Sequence, residues 1–403
     1  MTAAAAVEKF AALGNASYRT YLIGQSLANT GTWMQSIAQD WLVLRLTHSA
    51  FAVGLVMTLQ FLPTLLFGVY GGQLADRFPR RRILLMTQTA NAALTGLLAL
   101  LTAAGVVRPA HLYAFALLSG VILAVDAPTR QAFVNDVVPP GLLRGAVSLN
   151  AAVFQTTRLV GPAIAGLLIG TVGTGWVFAL NALCYAGPTI GLLRLRGLPV
   201  AKPVVLESGA MVATARYVAD RPHVARTLLL VGMVGTFGLN FPIVLTAMAT
   251  DTFGGGAGTY ALFNVMLAIG SVTGALLAAT WRNSRLRLIV LAGAAFGVTQ
   301  VAAAVAPGLG IFLVLLVAMG LTNLAFQAMA NSSVQLWSDP RLRGRIMGLY
   351  MLVFTGGTPI GAPIIGALTS HFGARLGMSV CGAVPAVAAV LLAATHTLRR
   401  RPA

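Results

Sequence analysis

The sequence is short of charge. Only 9% of its 403 residues are Asp, Glu, Lys or Arg, against ~25% in an average soluble domain. Nine are acids: Glu8, Asp40, Asp76, Asp126, Asp136, Glu207, Asp220, Asp251 and Asp339. A chain so poor in charge cannot cover itself with polar surface, which excludes an ordinary soluble domain. Cysteine is nearly absent too. Cys184 and Cys381 each sit inside an apolar segment, which excludes a disulfide framework and leaves them as small buried hydrophobes. The five histidines show no metal-ligand spacing. No H-E-x-x-H, G-x-S-x-G or Walker sequence occurs, so neither a common membrane-embedded enzyme site nor built-in ATP hydrolysis is expected. The N-terminus lacks the basic and apolar regions of a cleaved signal peptide.

What the chain has is hydrophobic length. Apolar residues make up 57% and the mean hydropathy is +0.83. Apolar runs broken by charged or Gly/Pro-rich stretches predict twelve membrane-crossing helices. In the first half they cover 18–45, 51–75, 83–106, 110–134, 146–170 and 174–193. In the second they cover 227–249, 258–281, 288–306, 309–335, 346–369 and 376–396. The expected fold is therefore all-α and polytopic, as two pseudo-symmetric six-helix bundles.

The 27 basic residues settle the orientation. Arg45, Arg108 and Arg375 fall on one side and Arg158 falls inside a span. The rest, with Arg130 placed near a helix end, fall on the other side. The positive-inside rule puts that side, both termini and the middle loop in the cytoplasm of a cell inner membrane. It also accounts for the net charge of +18 without a nucleic-acid partner.

Residues 194–226 form the longest interruption and read as a cytoplasmic linker carrying a helix along the membrane. The domains are then 1–193, 194–226 and 227–403. The halves resemble each other at an offset of 200 residues. Pro140/Pro340, Leu142/Leu342, Leu149/Leu349, Val153/Val353, Phe154/Phe354, Gly161/Gly361, Ile164/Ile364, Gly166/Gly366, Leu168/Leu368 and Gly173/Gly373 are identical pairs. Composition alone would give roughly three in such a window, so an internal duplication is the economical reading.

Ionisable groups inside spans are functional suspects. Asp40, Asp126 and Arg158 qualify. Gln25, Asn29, Thr32, Ser36 and Asp40 fall on one ~80° arc of the first helix. Such a stripe must face protein or water, and it reads as cavity lining, with a polar seam against another helix as the alternative. Ser148, Gln155 and Arg158 form a second stripe. Depth along the helices pairs Arg158 with Asp126 and leaves Asp40 as the freer acid, suited to carrying a proton. A structural tie is the alternative for the pair, and a permanently protonated acid for Asp40. Asn150 and Asn181 read as interhelical packing groups.

The stretch "GGQLADRFPRRR" resembles the signature loop of the major facilitator superfamily, carried by Gly72, Asp76, Arg77, Arg80 and Arg81. Pro79 stands where that loop usually has glycine. With Asp136 from "FVNDVVPP" at the same level, these residues are expected to form a conformational latch. Gly68 and Gly72 would let their helix approach a neighbour closely. "RLVGPAIAG" is similar to the antiporter Gly-Pro motif of the superfamily, carried by Gly161, Pro162 and Gly166; a plain packing motif is the alternative. "GTWMQSIAQDWLVLRLT", "DAPTRQAFV", "LNAAVFQTTRLVGPA" and "FALNAL" resemble the enterobactin-exporter-like branch, the transmembrane secretion effectors. Ala116 stands where many proton-coupled exporters carry an arginine, so a scheme resting on that residue does not transfer.

The resemblance implies a substrate site between the halves, no cofactor and a chain working alone. It also implies proton-driven export of small amphiphilic molecules such as drugs, siderophores or secondary metabolites. An importer or facilitator on the same fold is the runner-up. A membrane-embedded enzyme or a non-transporting receptor is more remote.

Overall fold

A computed structural model describes residues 11–195, 210–278, 286–339 and 342–398. Part of the expected linker (196–209) lies outside these, as do the basic residues Lys9, Arg196, Lys202, Arg282, Arg285, Arg341, Arg399, Arg400 and Arg401. The regular structure of the described residues is all helical, without a strand.

In the first half the helices are α1 (Ala16–Thr47), α2 (Ala50–Arg77), α3 (Arg80–Ala103), α4 (Pro109–Val137), α5 (Leu143–Thr171) and α6 (Thr174–Arg194). A short helix α7 (Ala210–Ala219) follows. The second half has α8 (Pro222–Thr252), α9 (Ala257–Ala278), α10 (Leu286–Ala304), α11 (Leu309–Trp337), α12 (Arg343–Phe372) and α13 (Ala374–Leu398). Among the described residues eleven helices are long and apolar enough to cross a membrane. The twelfth, α1, has the length, with 32 residues, and its polar stripe lowers its hydropathy. Large apolar side chains stand exposed along the spans, among them Leu100, Leu167, Leu183 and Val314. On a water-soluble surface such greasy faces would aggregate; in a multi-pass membrane protein they meet lipid.

Helix ends fall where local chemistry sets them. Pro79 precedes the first turn of α3, so Arg80, Arg81 and Arg82 lie inside the helix rather than in the loop expected there. Pro222 opens α8 in the same way, which brings Arg226 into a helix. Pro109 opens α4 behind Arg108. Helix α6 turns at Tyr185, three residues before Pro188. Helix α8 holds two π-helical stretches, Val234–Gly238 and Met248–Thr252.

The chain divides into two compact units, Met1–Leu46 with Leu62–Val205, and Thr47–Phe61 with Leu206–Ala403. The first has a core of Tyr18, Tyr21, Leu22, Leu84, Phe133, Val134 and Leu192 at the start of α1. Tyr21 and Phe133 lie 5.5 Å apart. The second unit packs Phe253, Phe263 and Phe312 into one cluster, with centroids 4.8 to 5.9 Å apart. In it the first turn of α2 is tied to α12, where the Phe51 amide donates to Ser370 Oγ at 2.8 Å.

The duplication is visible in the backbone. Leu142 caps α5 at φ −100°, ψ −5°, and Leu342 caps α12 at φ −102°, ψ −6°. Gly173 has φ 90° and Gly373 has φ 89°, in the left-handed region where only glycine rests without strain. The same corner is built twice.

Candidate functional site

One ion pair inside the first unit centres on Asp126. This residue is 3% exposed and lies on α4. Its Oδ1 accepts from Thr87 Oγ1 at 2.6 Å and from Gln88 Nε2 at 3.1 Å, both on α3. Its Oδ2 is paired with the Arg130 guanidinium, four residues on in the same helix. Arg130 reaches across to α1 as well. It donates to Gln25 Oε1 at 3.2 Å and to Asn29 Oδ1 at 3.4 Å. Gln25 in turn donates to the Tyr21 hydroxyl at 3.3 Å. Four polar side chains and one ion pair thus join α1, α3 and α4.

Burying a carboxylate in lipid-facing protein is costly unless its charge is neutralised and its lone pairs are filled. Both conditions hold. The pair has no net charge, and Asp126 receives three donors for its ~four acceptor positions.

Three sequence expectations fail here. Arg158 is not the partner of Asp126. A residue at i+4 stands one turn away on the same face, so Arg130 needs no bridge between helices. Arg130 is accordingly no loop cation: it lies two turns inside α4. Arg158 places its guanidinium over Trp33, with Cζ 5.5 Å from the ring centroid. Asp40 is not the freer acid either. It is 4% exposed and it has an interaction partner.

The stripe on α1 serves two surroundings. Gln25, 6% exposed, and Asn29 face Arg130, as a polar seam would. Thr32 is exposed, and its hydroxyl lies 3.4 Å from the Tyr185 hydroxyl on α6. Ser36 is half-buried. On α5, Ser148 and Gln155 are half-buried beside Arg158.

A second buried junction centres on Gln35, which the sequence reading missed. Its Oε1 accepts from Thr95 Oγ1 on α3 at 3.0 Å and from Asn181 Nδ2 on α6. Asn150 accepts from the Tyr18 hydroxyl at 3.2 Å.

The expected latch residues meet in part. Arg80 NH1 donates to Asp136 Oδ1 at 2.9 Å, and its NH2 lies 3.4 Å from Asp76 Oδ1. Its Nε donates to the Ala75 carbonyl at 3.3 Å. One arginine therefore holds two acids from α2 and α4. Arg81 does something else: it donates to the Leu192 and Leu193 carbonyls at 2.6 and 3.0 Å, and so caps the end of α6. Arg77 is exposed.

The glycine assignment on α2 is off by a residue. A methyl group on Gly72 would meet nothing within 4 Å, and one on Gly68 would touch only Thr64 of its own helix. A methyl group on Gly71 would overlap the Ala124 carbonyl of α4. One position is ~100° of rotation, enough to move a residue off the contact face. On α5, Gly161 does pack closely, since a Cβ there would lie 2.5 Å from Trp33 Cβ and 3.0 Å from the Thr30 carbonyl of α1. Pro162 and Gly166 are buried beside it. Among the described residues no group of His, Cys, Asp or Glu could hold a metal ion.

Comparison with known proteins agrees with this architecture. The chain matches the family described as transmembrane secretion effector over residues 7–402. It is 29% identical to the multidrug efflux pump Tap of Mycolicibacterium fortuitum across 86% of this chain and 87% of that one. It is 26% identical to the staphyloferrin A transporter of Staphylococcus aureus across 60% of this chain and 62% of that one, so it spans just under two thirds of that relative. The fold matches a bacterial homologue of the human lysosomal transporter Spinster, solved inward-facing and unoccupied. The TM-score is 0.75 at 15% identity, over 96% of this chain and 99% of the other. The enzyme alternative falls with these relatives, which are transporters. The chain belongs to the transmembrane secretion effector family of the major facilitator transporters.

Proposed function

We propose that the chain is a secondary active transporter that exports small amphiphilic molecules in exchange for protons, by alternating access. Drugs, siderophores and secondary metabolites are the substrate classes. Export is supported by the likeness to a multidrug efflux pump. The protein works as a single chain in the cell inner membrane, with both termini in the cytoplasm and no cofactor.

The observation that carries the proton-coupled reading is the pair of buried Asp126 with half-buried Arg130, wired to both α1 and α3. A proton on Asp126 would cancel the attraction that holds Arg130 and would turn one acceptor oxygen into a donor. The bonds to Thr87, Gln88, Gln25 and Asn29 would then rearrange together. Protonation is thereby coupled to the fit among three helices, and a substrate that prefers one fit prefers one protonation state. Asp40, buried on α1, is the second candidate acid. The Arg80 cluster with Asp76 and Asp136 is the conformational latch, holding α2 and α4 together in one access state and loosened in the other.

The test has two stages. Cells lacking their own exporters are screened for reduced accumulation of drugs and siderophores when they express the chain. A substrate so found is followed in proteoliposomes with an imposed pH gradient. The intact protein should move it against its gradient only while protons flow the other way. Asp126→Asn should abolish the response to the gradient while leaving downhill exchange, and Asp40→Asn should weaken it. Gradient-driven transport unchanged in Asp126→Asn would refute the assignment. Movement of substrate in the same direction as protons would make the chain an importer.

A further inference from the structure

Helix α5 carries a cation that the Asp126 network leaves unused. Arg158 lies midway along Leu143–Thr171, ~20 Å from either end. Its guanidinium sits 5.5 Å from the centre of the Trp33 ring on α1. Phe154, one turn earlier on α5, meets the same indole edge-on at 5.7 Å. One turn later, Gly161 brings the two helices together at Trp33, which fixes the indole in place.

Among the described residues no acid is paired with Arg158. Asp76 and Asp136 pair with Arg80, and Asp126 pairs with Arg130. Among the same residues no hydrogen-bond acceptor takes an N–H of Arg158. A ring face offsets part of the cost of a cation at that depth and leaves the guanidinium donors unfilled. The side chain is half-buried, so those donors are not sealed off.

The repeat argues against a packing role. At the offset of 200, Phe154 recurs as Phe354 and Gly161 as Gly361, and Thr358 stands in place of Arg158. The equivalent helix of the second unit is built without the charge.

We infer that Arg158, Trp33 and Phe154 form a subsite for an oxyanion carried on an aromatic body. The fork of guanidinium donors matches two oxygens of a carboxylate or of a phosphate. The aromatic body lies against Trp33 and Phe154. The depth places the site far from lipid headgroups. What the subsite is for rests on the export reading; that it binds such an anion does not.

The test is a binding measurement on the full chain, purified into nanodiscs of phosphatidylcholine. The probes are 2-naphthoate and its neutral twin 2-naphthamide, followed by titration calorimetry. Naphthoate should bind saturably, and naphthamide about tenfold or more weakly, as the loss of a charge-assisted bond predicts. Arg158→Gln should erase that ratio, and Arg158→Lys should keep part of it. Trp33→Leu should weaken both probes alike. Equal binding of the two probes, or an unchanged ratio in Arg158→Gln, would overturn the inference. So would the absence of saturable naphthoate binding. If Arg158→Gln does not fold, the ratio in the intact protein and in Arg158→Lys decides. Adding phosphatidylglycerol to the nanodiscs should leave naphthoate binding unchanged; competition by that lipid would mean that the anion is a headgroup and would also overturn it. Transport is scored separately in proteoliposomes. Selective binding without transport removes the export reading and spares the subsite, and transport without selectivity does the reverse.

Discussion

Arg130 sits one helical turn beyond Asp126 and pairs with it, so the buried acid of α4 finds its counter-ion within its own helix. The pair is more than a local tie, because Arg130 also holds two side chains of α1 and Asp126 two of α3.

Breaking this pair from one side should be worse than removing it. Arg130→Gln leaves a buried carboxylate without its cation and should cost about 3 kcal/mol of stability. Adding Asp126→Asn should recover a good part of that loss. Denaturant unfolding of the single and double variants in detergent gives the coupling, and simple additivity would contradict the network.

Adjacent glycines on α2 should differ sharply. Gly72→Ala meets open space and should fold with an unchanged thermal midpoint. Gly71→Ala drives a methyl group into the Ala124 carbonyl, so α2 and α4 must separate. A cost of about 1–3 kcal/mol is expected. Similar midpoints for the two variants would mean that α2 is rotated from the position described.

The two acids around Arg80 should not weigh equally. Asp136 is closer to Arg80 than Asp76 is, 2.9 against 3.4 Å, and its side chain is less exposed, 14% against 29%. Water screens the more open pair more strongly. Asp136→Asn should therefore change the transport rate more than Asp76→Asn, read as initial rates in proteoliposomes. The reverse order would move the latch to the Asp76–Arg80 contact between α2 and α3.

Gln35 should behave as a structural hub. Gln35→Leu strands the Thr95 hydroxyl and the Asn181 amide in the interior, and should cost about 1–3 kcal/mol. Substrate selectivity should stay as it is. A changed substrate profile at full stability would assign Gln35 to binding instead.

The spans, the family and the repeat were legible because each rests on many residues at once. Helix length and apolar runs survive errors at single positions, and ten paired identities outweigh chance. Pairings were harder. Matching Asp126 with Arg158 used depth along two helices and ignored the rotation of each about its axis. The stronger signal is the i, i+4 spacing in "DAPTRQ", which puts Asp126 and Arg130 on one face although Arg130 stands near the expected helix end. Thr87 and Gln88 follow a run of arginines and apolar residues, with no periodicity to mark them as inward-facing. Gln35 lies ~100° from its neighbour Ser36, off the stripe that drew attention to α1. The single-residue slip from Gly71 to Gly72 has the same origin.

The paired corners at Gly173 and Gly373 give the protein a built-in reference. Each half repeats one bend with nearly the same torsion, while the side chains around it have drifted apart. Whatever a change does at both corners reflects chain geometry alone, and whatever it does at just one reveals the task that half has taken on.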